Sequence, residues 1–338
     1  MSLPLVCICV PCYNNENTIK NTLDSIVDQD YSNLIIKVFD NASNDRTCEI
    51  VESYFSCSRS VSLIKRIKNV PGEINFNSCI KESEGDYIGI FHADDVYEKN
   101  IVSEQLKFFQ EHEEVGFVST HASTINQNNY FLKERFVPPE LSKSDVSELP
   151  SKRFIELCFK YGNFVTCPSV LFKTKTLKKL NQHFQRELYG TSSDLDLWFR
   201  LSSLSNFGFI NKPLIRYRKS NVSYSYNLSR TRTQDHELFL VLNNYINNIK
   251  DQEEQKKKLI QYRDFLLMKD RANTNISKIL LGYKNFERID LLKNMKLTLK
   301  SKFHLKYFFI ACAVKFIVPI KSIGKFSKII NFLRFRND

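Results

Sequence analysis

The sequence predicts an α/β protein whose first half is a doubly wound, mostly parallel sheet. Short apolar runs at residues 5–10, 34–39, 61–67 and 87–91 alternate with helix-length segments, the pattern of strands joined by crossover helices. Three of those runs end in polar clusters, at the strand ends where open α/β sheets bind ligands. Length and composition agree: 338 residues with 42% hydrophobic and 25% charged side chains suit a globular chain of roughly two domains.

The elements follow in order. LVCICV (5–10) reads as a buried first strand closed by Pro11. From Asn17 to Asp28 the chain reads as a helix, with Asn17 as N-cap and Ile19, Leu23, Ile26 and Val27 at helical spacing. LIIKVF (34–39) is the second strand, followed by the turn cluster Asp40-Asn41-Ala42-Ser43-Asn44-Asp45. A helix over Thr47–Phe55, a strand over Val61–Ile67 and a helix over Phe76–Ser83 lead to a strand at Tyr87–Phe91. Further apolar runs lie at Val115–Ser119, Ser169–Phe172 and Phe207–Ile210, with a helix-like stretch at Asp194–Arg200. Residues 138–150 read as loop, and from about 235 the chain reads as helical.

The nine cysteines form an odd set, several inside apolar runs, which favours buried thiols in a reducing compartment over a disulfide or zinc framework. The start has no basic n-region or cleavage site and does not read as a secretory signal. The net charge of +12 is localised: residues 251–338 hold 20 Lys/Arg against 8 Asp/Glu, and the rest is balanced. A neutral body with a basic end points to an acidic partner, a membrane surface or a nucleic acid. Residues 307–320 are apolar but too short to span a bilayer core, which needs about 20 residues. The segment after them sets Phe326, Ile329, Ile330 and Leu333 against Lys325, Lys328, Arg334 and Arg336, as in a helix lying in a membrane interface.

The polar clusters suggest chemistry. No G-x-G-x-x-G or GK[ST] is present, so neither a dinucleotide fingerprint nor a P-loop handles phosphate. Asp94-Asp95 at the end of a strand read either as a divalent-metal site for a diphosphate or as a helix cap beside a solvated carboxylate. Asp40 and Asp45 flank a turn that is either a plain Asx-turn or a nucleobase pocket. Asp194 and Asp196 precede Trp198 and Arg200, as a general base or as an acidic helix start.

Four segments taken together resemble one family. VCICVPCYNNENTI with LDSIVDQDY, then VFDNASNDRT, GDYIGIFHADD and SDLDLWFRL, in that order over about residues 4–220, are similar to the family-2 glycosyltransferases. The resemblance implies a GT-A fold and inverting transfer of a sugar from a nucleotide-diphosphate donor with a divalent ion, Mn2+ or Mg2+. It places Pro11, Tyr13, Asn14, Asp40, Asn41, Asn77, His92, Ala93, Asp94 and Asp95 around the donor, with Asp94 as metal ligand and Asp194 as catalytic base. Trp198 and Thr166 are expected on the acceptor side, Thr166 by position only, as are Phe164, Cys167 and Tyr189. The chain departs from the family pattern at three positions: His92 stands first in the D-x-D region, Asn41 replaces a second Asp, and Ser193 replaces a Glu before the base.

The expected organisation is a catalytic domain over 1–235, split near 110 into nucleotide-binding and acceptor-binding halves, and a helical basic extension over 236–338. The expected partners are a UDP-sugar, a free or polyprenyl-diphosphate-linked glycan of a surface polysaccharide, and the anionic inner face of the plasma membrane, with no nucleic acid. The competing readings are a polyprenyl-phosphate sugar transferase, which needs no hydroxyl-activating base, and a non-catalytic nucleic-acid or membrane binder. A nucleotidyltransferase is disfavoured, because PCYNNE is not a Gly-rich basic loop.

Overall fold

In the computed structural model the alternation of strand and helix builds one mixed sheet. The structure describes residues 3–56, 60–219, 232–250, 252–281, 286–291, 294 and 302–317. Contacts divide the chain into two units: Met1–Ile155 with Asn163–Ser220, and Glu156–Gly162 with Asn221–Asp338.

The first unit begins as expected. β1 (Val6–Cys12), β2 (Leu34–Asp40), β3 (Ser60–Lys65) and β4 (Tyr87–Ile90) pair in parallel in the order β3-β2-β1-β4. Helices α1 (Ile19–Val27), α2 (Thr47–Glu52) and α3 (Gly72–Glu82) make the crossovers. Ile8 and Val10 of β1 pack with Leu23 and Ile26 of α1 in the main core. Pro11 does not close β1, because β4 pairs with it only as far as Cys9–Ile90; beyond that a missing N–H on this side breaks no ladder bond. α1 starts from Thr18 rather than Asn17, because the Asn15 carbonyl already accepts from the Thr18 and Ile19 N–H groups. α2 stops at Glu52, and α3 starts at Gly72, directly after Pro71.

Beyond β4 the sheet becomes mixed. β5 (Val96–Tyr97), α4 (Ile101–Glu111), β6 (Val115–Ile125), β7 (Phe131–Glu134), β8 (Val146–Leu149) and α5 (Ser151–Tyr161) follow. Next come β9 (Leu171–Lys173), α6 (Thr174–Leu177), α7 (Arg186–Tyr189), α8 (Ser193–Ser202) and β10 (Asn206–Arg218). β9 runs antiparallel between β4 and β6, and β10 pairs in parallel with β6. Residues 138–150 are not all loop, since β8 pairs antiparallel with β10. Leu149 is its only buried member, too weak a pattern to mark a strand in the sequence. β5, α4, β7 and α5 carried no sequence expectation. α4 buries Ile101, Val102, Gln105, Leu106, Phe108 and Phe109, a helical stripe interrupted by one polar residue.

The second unit is helical, with α9 (Leu238–Asn248), α10 (Glu253–Leu280) and α11 (Lys302–Ile317). Phe265, Met268, Ala272 and Ile276 of α10 share a core with Tyr307, Ile310, Ala311 and Val314 of α11. Some of its basic side chains are paired, as in Arg232–Asp270 at 2.5 Å and Arg271–Asp235 at 2.8 Å. No helix among the described residues is long and apolar enough to cross a membrane. The segment expected as an interfacial helix lies outside the described residues.

Candidate active site

The carboxyl ends of β1, β2 and β4 lie side by side and carry the first group of expected residues. Asp40 ends β2, nearly fully buried, and its Oδ2 accepts from the Ser43 N–H at 3.0 Å. Asn14 and Ala42 both take left-handed backbone conformations, with φ of 52° and 64°. Asn14 ties the two strand-end loops together: its N–H donates to Ser43 Oγ at 2.9 Å, and its Oδ1 accepts from the Asn44 N–H at 3.0 Å. The Asn41 amide is engaged with Val70, donating to its carbonyl at 2.7 Å and accepting from its N–H at 3.0 Å. Pro11 is buried, whereas Tyr13 stands 46% exposed at the rim.

The segment after β4 gathers three donor groups. Ligand atoms of His92, Asp94 and Asp95 lie within 4.8 Å of one another, with Ala93 buried between them. Asp95 is fully buried; its Oδ1 accepts from the Arg218 N–H at 2.8 Å, while its Oδ2 has no partner. Burial, reinforced by Asp94, pushes the Asp95 carboxyl well above the usual carboxylate range. Burial pushes the His92 imidazole down, against the pull of Asp94, and its buried Nε2 also lacks a partner. The ring stacks on Phe76 with centroids 5.4 Å apart. Two carboxylates and a neutral imidazole, with two buried atoms unsatisfied, form a donor set that fits a divalent cation.

Arg218 holds this group in place and is itself almost fully buried. Its Nε donates to the Asp94 carbonyl at 2.7 Å and its Nη1 to the carbonyls of Asn126 and Gln127 at 2.8 and 3.2 Å. Its Nη2 donates to Asn129 Oδ1 at 2.7 Å. One guanidinium thus joins the acidic turn to the β6–β7 turn.

Asp194 sits in the first turn of α8 and is half-buried. Its Oδ2 accepts from Asn163 Nδ2 at 2.8 Å and its Oδ1 from the Leu195 N–H at 2.7 Å. Burial pushes its carboxyl up to about 6, while those two hydrogen bonds and the Arg135 charge pull the other way. Asp194 and His92 line one cavity of about 240 Å³, together with Glu73, Arg135, Asn163 and Tyr217. The Arg135 guanidinium carbon lies 4.9 Å from the centroid of the Tyr217 ring.

The acceptor-side expectations fare differently. Trp198 is fully buried between Phe117 and Phe172, with centroids at 6.0 and 5.8 Å. Its ring serves the aromatic core beneath the sheet and not the cavity, because a side chain of that area gains more from burial than from a wet wall. Thr166 is likewise buried and starts the short 3-10 turn Cys167–Ser169; its neighbours Val165 and Cys167 reach the cavity instead. Phe164 packs in the core against Phe154 and Phe207. Tyr189 ends α7 and is not itself among the residues that line the cavity. Asn77 is not free to meet a donor: its amide brackets the Phe184 backbone, donating and accepting at 3.0 Å each.

Sequence reasoning missed Asn163, Arg135 and Arg218. Arg135 and Arg218 are carried to the site by a hairpin and a strand from distant parts of the chain. Asn163 had one local signal, the helix-ending Gly162 at φ 89°.

Comparison with known proteins bears on the family and the fold. The Glycosyl transferase family 2 model matches residues 7–180. An uncharacterised glycosyltransferase of Methanocaldococcus jannaschii is 27% identical over 224 residues, 65% of this chain and 73% of that one. The poly(ribitol-phosphate) β-N-acetylglucosaminyltransferase TarS of Staphylococcus aureus is 26% identical over 193 residues, 56% of this chain and only 31% of its own length. The crystal structure of TarS 1–349 with UDP-GlcNAc matches with a TM-score of 0.56 at 18% identity, covering 92% of this chain and 91% of that one. The mannosyltransferase PcManGT of Pyrobaculum calidifontis, solved with GDP-Man and Mn2+, matches with a TM-score of 0.56 at 17% identity, covering 93% and 87%. With the family model spanning more than half of its length and the GT-A fold shared with solved glycosyltransferases, this chain belongs to glycosyl transferase family 2.

Proposed function

We propose that the chain transfers a sugar, with inversion, from a UDP-sugar to a hydroxyl of a glycan or lipid-linked oligosaccharide in surface-polysaccharide synthesis. The observation that carries this is the shared cavity: His92 of the donor group and the Asp194 carboxylate line one small space. A donor diphosphate at the acidic turn and an acceptor hydroxyl at Asp194 would meet there. Asp194 is suited to take the hydroxyl proton, since a carboxyl near 6 is ionised at neutral pH yet more basic than an ordinary one. Asn163 fixes that carboxylate in orientation. One displacement with one base gives inversion without a covalent intermediate.

His92, Asp94 and Asp95 would hold a divalent ion, Mn2+ or Mg2+. When bound, such an ion neutralises charge on the departing diphosphate. Asp40 and Asn41, with Pro11, Tyr13 and Asn14, would surround the nucleoside. The reading draws support from the UDP-GlcNAc complex of TarS and the GDP-Man and Mn2+ complex of PcManGT. It assigns catalysis to residues 1–235 and membrane association, at the cytoplasmic face, to the basic residues 236–338.

Calorimetric titration with UDP, dTDP and GDP, with and without Mn2+, tests it alongside Asp94→Ala. The expected result is metal-dependent binding of UDP that the substitution abolishes. Folded protein that binds no nucleotide would overturn the reading, and transfer to a polyprenyl phosphate that survives Asp194→Asn would move it to the lipid-phosphate class.

A further inference from the structure

The β6–β7 hairpin has a tip that the catalytic reading does not use. Tyr130, Phe131 and Leu132 are 69%, 61% and 48% exposed, three consecutive large apolar side chains. Their exposure follows from the strand pairing. Ile125 pairs with Phe131 and Thr124 with Lys133, so Leu132 is an extra residue in a bulge, and bulges re-aim side chains. Ile125 itself is buried in the core.

The tip is braced. Asn126 Oδ1 accepts from the Asn128 and Tyr130 N–H groups at 2.9 and 3.0 Å, and Asn129 closes the turn at φ 65°. From below, Arg218 binds the carbonyls of Asn126 and Gln127 and the Asn129 side chain. A turn held by five hydrogen bonds presents these apolar groups as a fixed surface.

Two features indicate what covers it. Three side chains are far short of the roughly 800 Å² per partner that a stable protein interface buries, whereas insertion into lipid needs no complementary surface. Residues 126–133 contain no acidic side chain and end in Lys133. Aromatic, apolar and basic groups together suit an anionic bilayer interface.

We propose that Tyr130–Leu132 insert into the interfacial layer of an anionic membrane, as an anchor separate from the basic C-terminal segment. The same hairpin leads directly into Arg135 in the site cavity, so insertion would hold the cavity near membrane-borne acceptors. Only this consequence rests on the proposed function; the anchor does not.

The test uses the full chain with phosphatidylglycerol and phosphatidylcholine vesicles. Phe131→Trp is expected to shift its emission to the blue on anionic vesicles and to be quenched by lipids brominated near the headgroup. The native Trp198 is buried and supplies a constant background. Replacing Tyr130, Phe131 and Leu132 together by Ser is expected to weaken vesicle partition about tenfold or more, with thermal unfolding preserved. Phe55→Ser, an exposed control, leaves partition unchanged. Cosedimentation without a shift from Trp at position 131 would overturn the proposal and leave the C-terminal segment as the anchor. Absence of any vesicle binding would overturn both anchors without touching the nucleotide-binding test. A triple variant that partitions normally but loses self-association would assign the tip to a second copy of the chain instead.

Discussion

Asn163 Nδ2 donates to Asp194 Oδ2 at 2.8 Å, from the loop after α5 to the first turn of α8. The bond favours the ionised carboxylate, while burial opposes it and holds the group near 6. Activity is therefore expected to rise with pH through an acid limb near 6, as Asp194 loses its proton. Asn163→Ala removes a hydrogen bond to the charged form and should move that limb to higher pH. A limb that stays in place in a pH–kcat profile of the variant would separate Asn163 from the base.

Asp194→Asn should lower kcat by about 10²–10⁴-fold, the range for loss of a general base, and leave nucleotide binding by calorimetry unchanged. The same substitution has a stability consequence. The folded carboxyl sits above its ordinary value, so folding favours its protonated form. The ionised group is thus a burden at pH above about 6, one that fades as pH falls towards 4. Asp194→Asn should raise stability by about 1 kcal/mol at pH 8 and by nothing near pH 4 in denaturant titrations.

Asp95 carries an unsatisfied buried oxygen, so a bound cation should stabilise the fold. Mn2+ in excess is expected to raise the Tm, as a ligand that binds only the folded state must, by stabilising the fold about 2.7 kcal/mol at a hundred times its Kd. Asp94→Ala should abolish the effect, and EDTA should reverse it in the parent. Equal Tm values with and without Mn2+ would argue against the cation site.

Arg218→Met breaks four side-chain hydrogen bonds and removes a buried charge from between two turns. Loss of about 3–5 kcal/mol is expected in urea unfolding, with Mn2+ affinity reduced in whatever protein remains folded. Arg218→Lys should recover little, because an ammonium cannot reach both turns at once.

Trp198→Ala should destabilise the protein by about 3–5 kcal/mol, and Trp198→Phe much less. Neither should change the acceptor KM at a temperature where both are folded. A selective KM effect in Trp198→Phe would return that side chain to the acceptor wall.

What could be read from the sequence was set by local pattern. β1, β2 and β4 are short apolar runs, and their polar ends mark the ligand edge of a parallel sheet before any coordinates are known. Asp40, Asp94 and Asp194 were likewise legible, because each carboxylate sits where a strand ends or a helix begins. β5 and β7 were not, being short elements whose existence depends on the strands beside them. Nor was the fate of Trp198: helical spacing puts it one turn below Asp194, but only the packed sheet decides that the ring goes inward between Phe117 and Phe172.

The sequence by itself determined the α/β class, the family and the carboxylates on which the chemistry is proposed to turn. The tertiary structure decided which groups surround them. Arg218 reaches the acidic turn from 124 positions away and Asn163 reaches Asp194 from 31, while Arg135 arrives on a separate hairpin. Side-chain pairing at such separations depends on how the sheet is ordered, and a strand-by-strand pattern carries no record of that order.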